Sequence, residues 1–171
     1  NVGAARKSAV LDFGEADCWI GVIITTVAAG GKPGVIVRYT DADNYLIVYA
    51  DQAAANVRIS KVVAGVETIM ASVAYTMTTD ALLVVRCSGQ IIQAFAWNTL
   101  RYADGGNIVQ ATISENETAT KHGIGSLSTN TSDRWNNFGG WAPLFMGRAD
   151  AVMPRPASEE QYAYLRAHDL F

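Results

Sequence analysis

An all-β protein, an antiparallel two-sheet β-sandwich with a short helix at its C-terminus, is the fold this sequence predicts. Two stretches carry the prediction. Arg38-Tyr-Thr-Asp-Ala-Asp-Asn-Tyr-Leu-Ile-Val-Tyr-Ala-Asp51 sets two strand-like segments around a polar turn, and Val84-Val-Arg-Cys-Ser-Gly-Gln-Ile-Ile-Gln-Ala-Phe-Ala-Trp97 repeats that arrangement. The third observation is spacing: short apolar segments recur along most of the chain, divided by clusters of Gly, Asp, Asn and Thr, which is the punctuation of strands rather than helices.

In chain order the strands are expected near Ser8 to Phe13, Ala16 to Val27, Gly34 to Thr40, Tyr45 to Ala50, Ala55 to Val62, Glu67 to Thr76, Ala81 to Cys87, Ile91 to Trp97, Asn107 to Ile113, Lys121 to Ser126 and Arg134 to Trp141. Successive side chains of a strand point to opposite faces, so the pattern also assigns sides. Val35, Val37 and Tyr39 should share one face and Arg38 and Thr40 the other; Val57 and Ile59 should oppose Arg58 and Ser60. Leu83, Val85 and Cys87, with Ile92, Ala94 and Ala96, should enter the core, which turns Gln93, Phe95 and Trp97 outward with Arg86. Each sheet is then expected to have one wet and one dry face. Large aromatics on a wet face call for a reason.

After Phe145 the composition changes. Met146 to Pro156 reads as a linker and Ser158 to His168 as a helix: Ser158 is suited to the N-cap with Gln161 three positions on, two glutamates occupy the first turn, and Arg166 and His168 the last. A helix of about three turns is marginal alone. It is expected to dock on its own sandwich or on a partner through Tyr162, Leu165, Leu170 and Phe171. The division is therefore a sandwich domain over 1–145 and a linker with docking tail over 146–171.

Composition removes several classes of function. The chain has 171 residues, half of them hydrophobic and 17% charged, enough for one core without covalent staples. A net charge of −3 with thirteen Lys and Arg scattered singly leaves no basic stripe for a phosphate backbone, so no nucleic acid is expected as partner. The apolar runs fall short of the roughly 20 residues of a membrane-spanning helix, so no membrane insertion is expected. The start, Asn1-Val-Gly-Ala-Ala-Arg-Lys, has neither an initiator Met nor an apolar stretch behind its basic pair and is expected to be a cut within a longer protein. Cys18 and Cys87 are open to two readings, a disulfide or two buried small hydrophobes. The sequons at Asn116 and Asn130 carry little information alone.

A family resemblance rests on particular residues: Arg38-Tyr-Thr-Asp41 with Asn44-Tyr45, Arg58-Ile-Ser-Lys61, Ala81 to Phe95, His122-Gly-Ile-Gly-Ser-Leu127, and Arg134-Trp-Asn-Asn-Phe138. In these, residues 8 to 142 resemble the concanavalin A-like lectin/glucanase superfamily in its laminin-G-like branch, of the phage or bacterial surface type. The resemblance implies a jelly roll. It also implies a strand segment before the position of Val10, expected to be absent or to lie beyond the start of this sequence. Fold likeness of this kind says little about function, because such domains serve as carbohydrate-binding modules, as parts of glycosidases and as structural pieces of virions and cell surfaces.

The residues bear on three chemistries. A glycosidase of this superfamily needs two carboxylates about 5.5 Å apart; Glu15-Ala-Asp17 lacks the third acid of the usual strand motif, Glu115 and Glu117 stand in a loop-like stretch, and His122 and His168 have no assignable nucleophile. No enzyme is expected. A Ca2+ site could draw on Asp41, Asp43 and Asn44, or on Asp104 to Asn107, although Asp, Asn and Gly are also what tight turns require. Sugar binding could draw on Phe95 and Trp97 with Asn98, Arg101 and Tyr102, since pyranose C–H faces stack on flat rings while Asn, Gln and Arg meet hydroxyls; Trp135 and Trp141 are read first as rings packed under loops or the C-terminal helix. The function expected is a non-catalytic adhesion or structural module of a virion or extracellular assembly, with self or neighbouring subunits as partners. A carbohydrate-binding module is the alternative.

Overall fold

The computed structural model describes residues 7–98, 107–128 and 132–141, and within them the chain is β-structure joined by turns. The strands are β1 (Lys7–Asp12), β2 (Cys18–Thr26), β3 (Pro33–Asp41), β4 (Asn44–Asp51), β5 (Asn56–Val63), β6 (Val66–Ala74), β7 (Ala81–Ser88), β8 (Ile91–Trp97), β9 (Asn107–Thr112), β10 (Lys121–Ser126) and β11 (Arg134–Trp141). They form a six-stranded sheet in the order β1-β10-β3-β4-β5-β6 and a five-stranded sheet in the order β11-β2-β7-β8-β9. Adjacent strands are antiparallel throughout. The antiparallel sandwich expected from the sequence is the fold observed. The helix expected over 158–168 with Tyr162, Leu165 and Phe171, and the turn residues Arg101 and Tyr102, lie outside the described residues.

Local chemistry sets the turns. Val63 pairs with Val66 across Ala64 and Gly65, both at positive φ (49° and 77°). That is the type I′ geometry whose twist matches the flanking strands. In the β3–β4 turn the Asp41 carboxylate accepts the Asp43 N–H at 2.8 Å and the Asn44 amide at 2.9 Å, and Asn44 in turn accepts the Ala64 N–H at 3.1 Å. These bonds to its anionic form hold the Asp41 carboxyl below the usual carboxylate range.

Between the sheets lies the main core, built from Ile20, Val22 and Ile24 of β2, Val35 and Val37 of β3, Leu46 and Val48 of β4, Val57 and Ile59 of β5, Leu83 and Val85 of β7, and Ile92, Ala94 and Ala96 of β8. A fully buried aliphatic of this size contributes about 1.5–3 kcal/mol through loss of water-exposed surface. Trp135 and Phe138 of β11 pack against the same core, which gives Trp135 a structural place.

Two expectations about faces are corrected. Arg38 does not sit on a wet face: it has φ +52° at an irregularity in the β3–β4 register between Val37 and Asp41, and its side chain is 0% exposed. The bulge turns Arg38 inward, where its Nη2 donates to Asp17 Oδ1 (3.0 Å) and to the Gly89 carbonyl (2.5 Å). Tyr39 is thereby moved to the outer side of the sheet, near-parallel to Tyr45 at 6.0 Å. Second, the outer face of the six-stranded sheet is not wet at its centre. Ile36, Tyr45, Ile47, Tyr49 and Val62 form a second cluster there, none more than 3% exposed, with Val10, Tyr39 and Leu127 at its margin. Tyr49 donates its hydroxyl to Glu67 Oε1 at 2.6 Å, and burial pushes its phenol up to about 12.

Candidate functional site

The outer face of the five-stranded sheet is built differently. Cys18, Ile20 and Val22 of β2 enter the core, so Trp19, Gly21 and Ile23 face away from it. Register carries this parity across the sheet: Trp19 lies opposite Arg86, Arg86 opposite Gln93, and Gln93 opposite Gln110, while Gly21 lies opposite Val84 and Val84 opposite Phe95. One step further, Leu82 lies opposite Trp97. Phe95 and Trp97 therefore occupy the outward positions that alternation assigns them.

The rings act as a group. Trp19 and Phe95 are near-parallel, with centroids 5.8 Å apart and planes 25° apart; Phe95 and Trp97 follow at 6.1 Å and 8°. All three are half-buried. They bridge β2 and β8 above Val84, whose β7 strand lies between. Beside them the guanidinium carbon of Arg86 stands 5.4 Å from the Trp19 centroid, a cation–π contact worth roughly 0.5–1 kcal/mol at an exposed site. Arg86 Nη1 donates to Gln93 Oε1 at 3.3 Å, and Gln93 Nε2 donates to Gln110 Oε1 at 2.9 Å. The result is a run of aromatic surface bordered by a guanidinium and two amides in a row. Gln93 and Gln110 each retain further donor or acceptor capacity beyond these bonds.

On the neighbouring strands Gly21 and Gly139 are paired at outward positions, so the sheet surface beside Trp19 carries no side chain for two strands.

The other residues singled out from sequence have settled roles. Asn98 spends its amide on the chain before β7, donating to the Thr76 carbonyl (2.9 Å) and accepting the Thr78 N–H (2.8 Å). It is a loop clamp beside Trp97. Asp41, Asp43 and Asn44 form the exposed hairpin turn already described, with the Asp41 carboxylate engaged by that turn. Three of the carboxylates considered for catalysis are also partnered: Asp17 with Arg38 and the Gly89 N–H, Glu115 with Lys61, and Glu117 with Gln90. Trp19, Arg86 and Gln110 were not among the sequence candidates. Alternation in β2, with Cys18 and Ile20 inside, was the signal that turns Trp19 outward.

No protein-family model matches this chain, and no curated protein matches it in sequence. Solved structures do match in fold. The carbohydrate-binding module CBM66 from Bacillus subtilis superposes with a TM-score of 0.58 at 15% identity, over 77% of this chain and 76% of that one. The GH43 protein BlXynB from Bacillus licheniformis gives 0.58 at 13%, over 78% of this chain, which spans only 28% of that larger protein. The homodimeric agglutinin CG-16 from chicken liver gives 0.53 at 10%, over 79% of this chain and all of that one. At these identities the likeness establishes a lectin-like β-sandwich fold.

Proposed function

We propose that this chain is a non-catalytic carbohydrate-binding module of an extracellular or surface assembly, holding glycan on the outer face of its five-stranded sheet. The observation that carries the reading is the Trp19–Phe95–Trp97 stack with Arg86, Gln93 and Gln110 along one side. Sugar recognition needs flat apolar surface for C–H faces and nearby amide or guanidinium groups for hydroxyls, and this face offers both. The fold adds support, since it is shared with a protein named a carbohydrate-binding module. Asp17, Glu115 and Glu117 serve as structural partners, which favours binding over hydrolysis.

The test is a glycan-array screen of the purified chain, run with calcium and again with chelator, beside Trp97→Ala. The expected result is a discrete set of sugars bound equally in both conditions and lost in the variant. Silence of the folded chain across the array would overturn the reading.

A second reading, a subunit of a larger structural assembly such as a virion, draws on a different observation. The edge strand β6 and its hairpin present Val63, Val66, Ile69 and Met70 to solvent, with the open backbone of an edge. An apolar edge of this kind suits a neighbouring protein surface. Light scattering after size exclusion tests it: a stable oligomer dissolved by Ile69→Lys supports the assembly reading, and a monomer at all concentrations removes it.

A further inference from the structure

At one end of the sandwich, beneath the β2 strand that carries Trp19, three metal-ligating side chains meet inside the core. Cys18 of β2 and Cys87 of β7 are register partners, and His122 of β10 reaches them from the opposite sheet. All three are buried and unlinked, and their ligand atoms lie within 4.8 Å of one another. Cys18 Sγ is 3.6 Å from His122 Nδ1 and 3.5 Å from Nε2. A tetrahedral zinc ion, with bonds of about 2.3 Å to sulfur and 2.0–2.1 Å to nitrogen, separates those atoms by about 3.5 Å.

Arg38 supplies the second observation. Its side chain is fully buried, yet only Nη2 has acceptors, and Nε and Nη1 have none among the described residues. Buried N–H groups without acceptors are uncommon and call for a missing partner. Arg38 is tied to the cluster by its own backbone N–H, which donates to His122 Nδ1.

We propose that Cys18, Cys87 and His122 form a binding site for a thiophilic divalent cation, Zn(II) foremost, which staples the two sheets together. The balance is simple: Zn2+ and two thiols give a zinc dithiolate and two released protons, so the charge of the buried site does not change. Nothing is oxidised. The His122 ring is held by the Arg38 N–H donating to Nδ1 (3.2 Å) and by Nε2, 3.0 Å from the Glu15 carbonyl. Sγ of Cys18 is almost equidistant from both nitrogens and so lies over the ring. Ligation therefore turns the ring about its Cβ–Cγ bond toward the sulfurs, with the Glu15 carbonyl as the oxygen acceptor for the remaining ring N–H.

Because the site is closed, the metal has to be offered during folding. The full chain is unfolded in reductant and chelator, then refolded anaerobically with Zn(II), with Co(II) as spectroscopic probe, or with chelator alone. The expected result is one zinc per chain, a thiolate-to-cobalt charge-transfer band, two protons released per ion, and a higher melting midpoint with zinc than with chelator. The band should vanish in Cys18→Ala and in Cys87→Ala and change in His122→Asn. Proton release by the unmodified chain requires no variant and decides the matter if the variants do not fold. Absence of the band and of proton release from refolded chain, or a band surviving loss of either cysteine, would overturn the site. So would a Cys18–Cys87 disulfide formed in preference to metal uptake when zinc and oxidised glutathione are offered together.

Discussion

The two outer faces of the sandwich are both richer in apolar residues than a solvated sheet requires, and they differ in what they leave accessible. On the six-stranded sheet, Ile36, Tyr45, Ile47, Tyr49 and Val62 are closed off, and the Tyr49 hydroxyl is committed to Glu67. On the five-stranded sheet, Trp19, Phe95 and Trp97 keep part of their surface, and the polar groups beside them are amides and a guanidinium with capacity to spare. Aromatic content alone therefore does not mark a binding face. What separates the two is whether the rings are sealed and whether the neighbouring polar groups are already spent.

Substitutions sharpen that contrast. The largest effect is expected from Ile47→Ala on the closed face. Removing buried methylenes there should cost about 2–5 kcal/mol, read by urea denaturation, with glycan affinity of the folded fraction unchanged. Trp97→Ala or Trp19→Ala on the open face should do the reverse: an affinity loss of about tenfold or more, which is about 1.4 kcal/mol, measured by titration calorimetry, with a smaller change in midpoint than Ile47→Ala. If Trp97→Ala instead unfolds the chain, the ring is a core element and the open face loses its role.

Smaller effects test the border groups. Gln93→Ala removes the amide linking Arg86 to Gln110 and should weaken glycan binding by about 0.5–1.5 kcal/mol with stability nearly constant. Tyr49→Phe should alter alkaline stability. With its folded pKa raised to about 12 from an ordinary value of 10.0, the Tyr49 phenol contributes stability that is complete below pH 10 and lost as pH rises toward 12. The wild-type midpoint should therefore fall more steeply across that window than that of Tyr49→Phe.

Most of the fold was legible because its signals are local. Period-two alternation and turn residues such as Ala64-Gly65 and Asp41 to Asn44 place all eleven strands, with boundaries displaced by one or two positions, as at Ala16, where β2 begins only at Cys18. The inward turn of Arg38 was not legible, because the bulge that makes it depends on Asp17 and Gly89, distant in sequence. The second apolar cluster did leave a trace: Tyr45 to Ala50 contains no charged residue, as befits a strand buried on both faces, and alternation alone passes over such a run. The candidate site was half legible. Phe95 and Trp97 follow from their own strand, whereas their grouping with Trp19, Arg86 and Gln110 depends on the strand order β2-β7-β8-β9, which no local pattern reports.

The most direct test of the open-face assignment is a 1H–15N correlation spectrum recorded while a pool of soluble oligosaccharides is titrated into the labelled chain. Shifts confined to the indole N–H signals of Trp19 and Trp97 and to the amides around Arg86, Gln93 and Gln110 are predicted. Shifts at Ile36, Ile47 and Tyr49 on the opposite face, or none anywhere, would contradict the account.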